Sequence, residues 1–408
     1  MLRKKMDPKR SALLFSILSL LVVVPSVGFA QTETVLYTFA GMPDGAWPST
    51  AGPLAIDSAG NLYGTTMIGG TVGYGSVFEV PAGGGERLLY SFAGKSDGSS
   101  PVGGVILSGG ALYGTTEYGG EFSSKCKAGC GTVFKVSGTG AYTVAHSFTG
   151  PTSDGAYPFG GVISDAAGNL YGTTTKGGIY KSYGTVFELT VSGSERLYSL
   201  KHSPDGEFPW GSLSRDSSGN LYGTTEYGGA NNCPNATGTC GAAFEVSATG
   251  ESIIYSFGNS STDGVYPESG LVGDDRGNFY GTTAAGGKYG YGTVFKLSKT
   301  TGTWKETILY NFTGLADGAY PSGRLIIDAQ GNLYGTTPGG GAYTCGTVFR
   351  VAPNGEESVL YSFTGLADGD GPAAGLVADK QGNLYGTTTY GGSASYSQGW
   401  GVVFKITP

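Results

Sequence analysis

The sequence predicts an all-β protein, a seven-bladed β-propeller built from four-stranded antiparallel blades. Three observations predict this fold: an unusual content of glycine, a unit that recurs seven times, and turn residues at fixed places within each unit. Glycine accounts for 76 of the 408 residues, and aromatic residues account for 12%. Glycine at this level, without the three-residue period of collagen and beside many aromatic residues, is typical of a chain rich in strands and tight turns.

A six-residue motif close to Asn-Leu-Tyr-Gly-Thr-Thr defines the repeat. A regular period of the length seen here indicates an architecture in which each unit buries its apolar face against its neighbours. Successive copies lie 50 to 58 residues apart, and their tyrosines are Tyr63, Tyr113, Tyr171, Tyr222, Tyr280, Tyr334 and Tyr385.

Each unit contains the same elements in the same order. The tyrosine strand is followed by Gly-Gly, by a strand of the type Gly-Thr-Val-Phe, and by a strand of the type Leu-Tyr-Ser-Phe. A turn of the form Asp-Gly-x-x-Pro and a short apolar strand come next, and in six units a hairpin of the form Asp-x-x-Gly-Asn leads back to the tyrosine strand. Four short strands joined by tight turns make one propeller blade. We expect the glycine within Tyr-Gly-Thr-Thr to mark the close approach of another backbone.

Two other repeat architectures fit the sequence less well. A solenoid needs polar caps, and neither end of the repeat array resembles one. Kelch blades share the Gly-Gly pair and a period near 50 residues. The tyrosine and tryptophan that follow Gly-Gly in kelch blades are missing here, because the chain has only four tryptophans.

The order of the strands predicts how the ring closes. The first recognisable strand, Val35–Phe39, is of the type that ends a unit, whereas the last strand, Val402–Ile406, is of the type that comes third. The last blade is therefore one strand short. We expect Val35–Phe39 to pair antiparallel with Val402–Ile406, which removes two open sheet edges.

Residues 1–30 have the pattern of an export signal. Five Lys and Arg residues precede an apolar stretch from about Ala12 to Val24, and small residues follow at Gly28 and Ala30. We therefore expect a signal peptide over residues 1–30 and a single propeller domain over residues 31–408. The protein is expected to be secreted, extracellular or periplasmic, with no membrane span after cleavage.

The repeat unit also resembles that of a known family. The string Gly-Asn-Leu-Tyr-Gly-Thr-Thr, followed by Gly-Gly and by Gly-Thr-Val-Phe-Lys-Val, is similar to the Gloeo-Verruco (GloVer) repeat of choice-of-anchor tandem-repeat proteins that bacteria export. The resemblance spans residues 35–408. It implies an exported, repeat-built protein and brings no established activity with it.

Residues suited to catalysis are few. The chain has two histidines, His146 and His202, and it lacks the linear motifs of metalloproteases, serine hydrolases and phosphate-binding loops. His146 takes the place of the tyrosine in a Leu-Tyr-Ser-Phe strand, which indicates a core or edge position. The sequence therefore predicts no catalytic residue, no metal site and no cofactor.

Four of the five cysteines fall into two enlarged loops that follow Gly-Gly. Because an exported protein meets oxidising conditions, we expect two local disulfides, Cys126–Cys130 and Cys233–Cys240, with Cys345 outside both. A zinc site is disfavoured because neither loop holds a second pair of cysteines.

The loops after Gly-Gly vary most in length, and variable loops on a rigid scaffold commonly carry function. An aromatic residue precedes the proline of Asp-Gly-x-x-Pro in five units, and Trp400 lies beside a Gly-Gly loop. We expect a ligand-binding surface made by Trp47, Tyr157, Phe208, Tyr266, Tyr320 and Trp400. The aspartates of the same turns are expected to cap them: Asp44, Asp97, Asp154, Asp205, Asp263, Asp317 and Asp368.

The sequence leads to one functional prediction and two alternatives. The prediction is an exported, non-catalytic recognition or scaffold module, a monomer that binds a glycan or an extracellular protein on the face of the variable loops. The alternatives are an extracellular polysaccharide hydrolase or lyase, and a structural protein of a surface layer or matrix. The net charge of −7 disfavours nucleic acid as a partner.

Overall fold

A computed structural model describes residues 31–150, 154–180, 182–201, 204–233, 238–393 and 399–407. All regular secondary structure in these ranges is β-strand. No helix in the part described is long and apolar enough to cross a membrane. The expected signal peptide over residues 1–30 lies outside these ranges and stays a prediction.

Seven four-stranded antiparallel sheets follow one another along the chain and form a ring, so the predicted seven-bladed propeller is confirmed. Strands are numbered in chain order, and blades in the order of their first strands. The first strands of blades one to seven are β3 (Ala55–Ile56), β7 (Val105–Ser108), β12 (Ile163–Ser164), β18 (Ser214–Arg215), β24 (Val272–Gly273), β29 (Ile326–Ile327) and β33 (Val377–Ala378). The second strands, which carry Tyr-Gly-Thr-Thr, are β4 (Leu62–Gly69), β8 (Ala111–Thr116), β13 (Leu170–Thr174), β19 (Leu221–Thr225), β25 (Phe279–Thr283), β30 (Leu333–Thr337) and β34 (Leu384–Thr388).

The third and fourth strands complete each blade. The third strands are β5 (Ser76–Val80), β9 (Thr132–Ser137), β15 (Thr185–Leu189), β21 (Ala242–Ser247), β27 (Thr293–Thr300), β31 (Thr347–Val351) and β35 (Val402–Thr407). The fourth strands are β6 (Arg87–Ser91), β10 (Tyr142–Ser147), β16 (Glu195–Ser199), β22 (Gly250–Ser256), β28 (Thr303–Asn311) and β32 (Glu357–Ser362), and blade seven takes β1 (Thr32–Thr38).

In four blades, short additional strands join the Asp-Gly turn to the Gly-Gly loop of the same blade, which places both at one end of the ring. In blades two, six and seven a single bridge does the same, between Ser99 and Tyr118, Ala319 and Gly339, and Asp370 and Tyr390. In blade one, β2 (Gly45–Pro48) pairs with β4. The remaining pairs are β11 (Gly155–Ala156) with β14 (Lys176–Gly177), β17 (Gly206–Glu207) with β20 (Tyr227–Gly228), and β23 (Gly264–Val265) with β26 (Ala285–Gly286).

The N-terminal strand closes the ring. β1 pairs antiparallel with β35, and Val35 lies opposite Phe404. Phe39, the residue directly after β1, is buried and packs edge-to-face on Phe78 of blade one. The predicted closure is confirmed, and it leaves blade seven with four strands like the others.

The apolar core is divided among the seven interfaces between neighbouring blades, with one cluster of buried side chains at each. The phenylalanines of the third strands lie at the centre of these clusters and are fully buried: Phe78, Phe134, Phe187, Phe244, Phe295, Phe349 and Phe404. A blade has no core of its own, so the blades depend on one another for stability.

The glycine and the first threonine of Tyr-Gly-Thr-Thr make different contacts. A Cβ on Gly281 would lie 2.7 Å from Cζ of Phe295, and the equivalent glycines face their phenylalanines in the same way. The close neighbour is therefore chiefly an aromatic side chain and not, as expected, another backbone. Thr65 donates from its hydroxyl to the carbonyl of Pro101 at the entry to blade two (2.9 Å), which ties adjacent blades together.

Candidate functional site

An acidic pocket recurs where the fourth strand of one blade meets the Asp-Gly-x-x-Pro turn that follows it. The tyrosine of the strand donates its hydroxyl to the aspartate of the turn, as Tyr255 does to Asp263 (2.9 Å). Asp263 also accepts the backbone N–H of Asn259 at 2.8 Å. The same tyrosine bond occurs between Tyr37 and Asp44, Tyr90 and Asp97, Tyr310 and Asp317, and Tyr361 and Asp368. These hydrogen bonds join each turn to the strand before it.

The fourth strand of the following blade adds a glutamate to most of these pockets. Burial raises the pKa of Glu306 to about 8, and the negative charge of Asp263 adds to the effect. Burial likewise raises the pKa to about 7 at Glu33, Glu86, Glu251 and Glu357. A glutamate that keeps its proton near neutral pH can share a confined pocket with a second carboxyl group without like-charge repulsion.

The pocket between blades two and three differs because His146 replaces the tyrosine. Its Nε2 lies 3.8 Å from Oδ2 of Asp154 and 3.5 Å from Oε1 of Glu195. We call these three residues the His146 cluster. The ligand atoms of the three side chains all lie within 4.8 Å of one another. Nε2 of His146 and Oε1 of Glu195 are buried atoms that make no hydrogen bond to the part of the chain described here.

The three groups of the His146 cluster differ in their affinity for protons. Burial opposes the charge of His146, but Asp154 and Glu195 outweigh burial and raise its pKa. Burial also works against the charge of Asp154, yet His146 and the hydrogen bonds from Thr149 and Gly155 lower its pKa. Burial, followed by the charge of Asp154, raises the pKa of Glu195. The cluster thus combines a carboxyl group whose pKa is lowered with an imidazole and a second carboxyl group whose pKa values are raised.

Packing fixes the positions of the cluster side chains. The N–H and the hydroxyl of Thr149 both donate to Oδ2 of Asp154, at 2.7 and 3.0 Å. The imidazole of His146 packs edge-to-face on Phe148, with 4.7 Å between ring centroids. The side chains of His146 and Glu195 are 20% and 22% exposed, although Nε2 and Oε1 themselves are buried.

One of the enlarged variable loops covers this region. Its predicted disulfide, Cys126–Cys130, is confirmed with a Cα separation of 5.2 Å. A Cβ on Gly150 would lie 2.8 Å from Sγ of Cys130, so the disulfide packs against the backbone between His146 and Asp154. The His146 cluster therefore lies beside a disulfide-closed loop on the variable-loop face.

The second predicted disulfide, Cys233–Cys240, is also confirmed, with a Cα separation of 5.1 Å. Cys240 packs on Gly258 as Cys130 packs on Gly150. In blades one and five an aromatic ring occupies the same place, because Tyr74 lies against Gly94 and Tyr291 against Gly314. Disulfides and aromatic rings thus fill one structural position in different blades.

The aromatic residues predicted to bind a ligand line the variable-loop face but are unequally accessible. Tyr320 and Trp400 are 48% and 42% exposed. The other four, Trp47, Tyr157, Phe208 and Tyr266, are half-buried. Each residue before the proline has a positive φ, between 53° and 62° for the five aromatic ones. The N–H of Tyr157 donates to the carbonyl of Cys130 in the preceding blade (2.8 Å), which favours this strained backbone.

Sequence reasoning missed the glutamates and the role of His146. A signal was present, because a glutamate stands four residues before the tyrosine in Glu33-Thr-Val-Leu-Tyr37 and in four other fourth strands. In blade three the interval is three residues, and β16 pairs with β15 without the bulge that most other fourth strands have. The glutamate contacts the aspartate of the preceding turn because neighbouring blades pack together. This contact cannot be predicted from the spacing of residues along the sequence.

The fold and these pockets define a β-propeller built from repeats, with carboxyl groups in pockets between its blades. Comparison with family sequences identifies it further. The Gloeobacter/Verrucomicrobia repeat family matches residues 120–240 and 234–408. The chain belongs to this family. Comparison with proteins of curated function gives no match.

Several solved structures have a similar fold. The extracellular domain of a candidate one-component system from B. thetaiotaomicron matches with a TM-score of 0.54 and 13% identity, over 90% of this chain and 40% of that one. A candidate 6-phosphogluconolactonase from Bacteroides uniformis matches with a TM-score of 0.50 and 17% identity, over 80% of this chain and 88% of that one. A gluconolactonase from Xanthomonas campestris matches with a TM-score of 0.45 and 11% identity, over 92% and 89%.

The prediction of a non-catalytic recognition or scaffold module is contradicted, because a solved propeller that this chain resembles is described as a candidate 6-phosphogluconolactonase. The prediction rested on the absence of linear catalytic motifs. In a propeller, side chains from different blades can meet although they are far apart in sequence, as His146 and Glu195 do. The absence of a motif is therefore a poor guide to catalysis in this architecture.

Proposed function

We propose that this chain is an exported hydrolase of small esters or sugar lactones, with the His146 cluster as its reaction centre. The observation that carries the proposal is the composition of this one pocket. Six blades have a tyrosine at the place of His146, whereas this pocket combines an imidazole with two carboxyl groups within 4.8 Å. The two confirmed disulfides support an exported protein, because disulfides persist in oxidising compartments.

The three side chains have the properties that hydrolysis requires. Asp154 is ionised and takes a proton from water as the water oxygen bonds to the carbonyl carbon. The bond from that carbon to the leaving oxygen breaks, and Glu195 supplies the proton that the leaving oxygen needs. Nε2 of His146 faces both carboxyl groups and returns the proton from Asp154 to Glu195, so the site is restored after each turnover.

The aromatic side chains of the same face are proposed to contact the substrate. Tyr157 follows Asp154 by three residues, and Tyr118 packs edge-to-face on it with 5.7 Å between centroids. The remaining members of the predicted surface, Trp47, Phe208, Tyr266, Tyr320 and Trp400, offer flat apolar faces suited to sugar rings. The Bacteroides uniformis relative is described as a candidate 6-phosphogluconolactonase. Sugar lactones are therefore the first substrates to test.

The test is hydrolysis by the purified full chain of p-nitrophenyl acetate, p-nitrophenyl butyrate and δ-gluconolactone. His146→Tyr installs the residue that the other six blades have, so the fold should survive. We expect kcat/KM to fall by about 100-fold or more, the usual contribution of acid–base groups. His202→Gln, which changes the other histidine, is the matched control and should keep full activity. No turnover above background, or full activity in His146→Tyr, would overturn the proposal.

A further inference from the structure

We infer that the His146 cluster binds a divalent transition-metal ion through Nε2 of His146, a carboxylate oxygen of Asp154 and a carboxylate oxygen of Glu195. The inference concerns the same pocket as the proposed function but does not depend on hydrolysis, since a metal site can exist without turnover. An imidazole with two carboxylates suits ions such as Zn²⁺ and Mn²⁺ and is a poor set for Ca²⁺, which prefers oxygen ligands alone.

The spacing of the ligand atoms fits such an ion. Bonds from zinc to histidine nitrogen and carboxylate oxygen are about 2.0–2.2 Å long, so tetrahedral ligands stand about 3.3–3.6 Å apart. Nε2 of His146 lies 3.5 Å from Glu195 Oε1 and 3.8 Å from Asp154 Oδ2, too far for either hydrogen bond. Both distances from Nε2 lie within a few tenths of an ångström of this range, and the ligand atoms of all three residues lie within 4.8 Å of one another.

The atoms that face this gap are available as ligands. Nε2 of His146 and Oε1 of Glu195 are buried and make no hydrogen bond within the described residues. Oδ2 of Asp154 accepts two hydrogen bonds from Thr149, which orient its carboxylate. Such bonds to a ligand residue are typical of metal sites, where they fix the ligand and tune its basicity.

The pocket between blades four and five shows what the replacement of tyrosine by His146 changes. In the pocket between blades four and five, the hydroxyl of Tyr255 donates to Oδ2 of Asp263 at 2.9 Å and supplies the positive hydrogen that the carboxylate needs. His146 has no hydroxyl, and its nitrogen stops short of both carboxyl groups. Three donor atoms then surround a gap that a cation fills.

Isothermal titration calorimetry of the untagged full chain with Zn²⁺, Mn²⁺ and Ca²⁺, without substrate, tests the inference. We expect one Zn²⁺ or Mn²⁺ per chain and much weaker Ca²⁺ binding. His146→Tyr should weaken transition-metal binding by about tenfold or more, while His202→Gln should leave it unchanged. Equal binding to His146→Tyr, or loss of binding only in His202→Gln, would overturn the inference.

A gain-of-site variant keeps the test informative if the loss variant is unstable. Tyr255→His places an imidazole beside Asp263 and Glu306 and reproduces the composition of the His146 cluster between blades four and five. We expect this variant to bind a second transition-metal ion. A wild-type chain that binds no metal while it hydrolyses esters would remove the metal inference and leave the proposed function in place. Metal binding without hydrolysis would do the reverse.

Discussion

A single glycine in each blade leaves room for the phenylalanine ring opposite it on the third strand. Gly281 faces the ring of Phe295, which is fully buried at the interface between blades. Because protein interiors are close-packed, even one added methyl group must move this ring or the strand that bears it. The glycine of Tyr-Gly-Thr-Thr is thus a packing residue, and its recurrence in all seven blades reflects the recurrence of the phenylalanine.

Gly281→Ala should therefore destabilise the protein. The new Cβ would lie 2.7 Å from Cζ of Phe295, and overpacking of this kind costs about 1–3 kcal/mol. The measurement is the urea midpoint of unfolding. Gly83→Ala is the matched control, because no atom lies within 4 Å of a Cβ placed there. Equal midpoints for the two variants would contradict this account of the glycine.

At the scale of the element, the contact between a fourth strand and the preceding turn depends on protonation. Glu306, at the pocket that holds Asp263, has a pKa raised by burial to about 8. Its ordinary value is 4.5, so between these values the folded chain holds a proton that the unfolded chain has lost. Raising the pH through this range therefore favours the unfolded state.

The melting temperature should accordingly be higher at pH 5 than at pH 8. Each glutamate with a raised pKa stabilises the fold fully below about pH 4.5, and this contribution is lost as the pH rises through 7 to 8. Glu306→Gln mimics the protonated acid and should melt a few degrees higher than the wild type at pH 8. The exposed Glu356→Gln serves as control. A melting temperature that rises from pH 5 to pH 8 would contradict the raised pKa values of these glutamates.

At the scale of the whole molecule, stability depends on closure of the ring. Every core cluster lies between two blades, so an open ring exposes two apolar blade faces at once. β1 covers this junction, since Val35 and Phe39 contribute to the clusters on either side of blade seven. The strand farthest from the rest of blade seven along the chain is therefore the one that completes it.

Deletion of residues 31–40 should lower the melting temperature by more than any single substitution proposed above. It removes the partner of β35 and leaves an exposed sheet edge and apolar surface. A synthetic peptide of residues 31–40 added in trans should restore much of the loss, because it can take the vacant place. A truncated chain that melts like the wild type would refute closure by this strand.

Much of the fold followed from the sequence alone, because each blade signals its own elements. The period of the tyrosine motif specifies seven units, Asp57 and its equivalents specify the hairpins, and the order of strands specifies the closure by β1. Asp57 accepts hydrogen bonds from the N–H groups of Ala59 and Asn61, both at 2.9 Å, contacts that lie within one turn. Local interactions of this kind can be predicted from the spacing of residues in the sequence.

The candidate site was decided only by tertiary structure. His146 stands in a fourth strand, Asp154 in the next turn, and Glu195 in the fourth strand of the following blade. What separates this pocket is that blades two and three bring one exceptional histidine against two carboxyl groups. Burial and the neighbouring charges then shift the pKa of each group. The spacing of residues predicts turns and strands, because these depend on local interactions. The contacts between blades, and the pKa values of the groups that meet there, depend on how the blades pack.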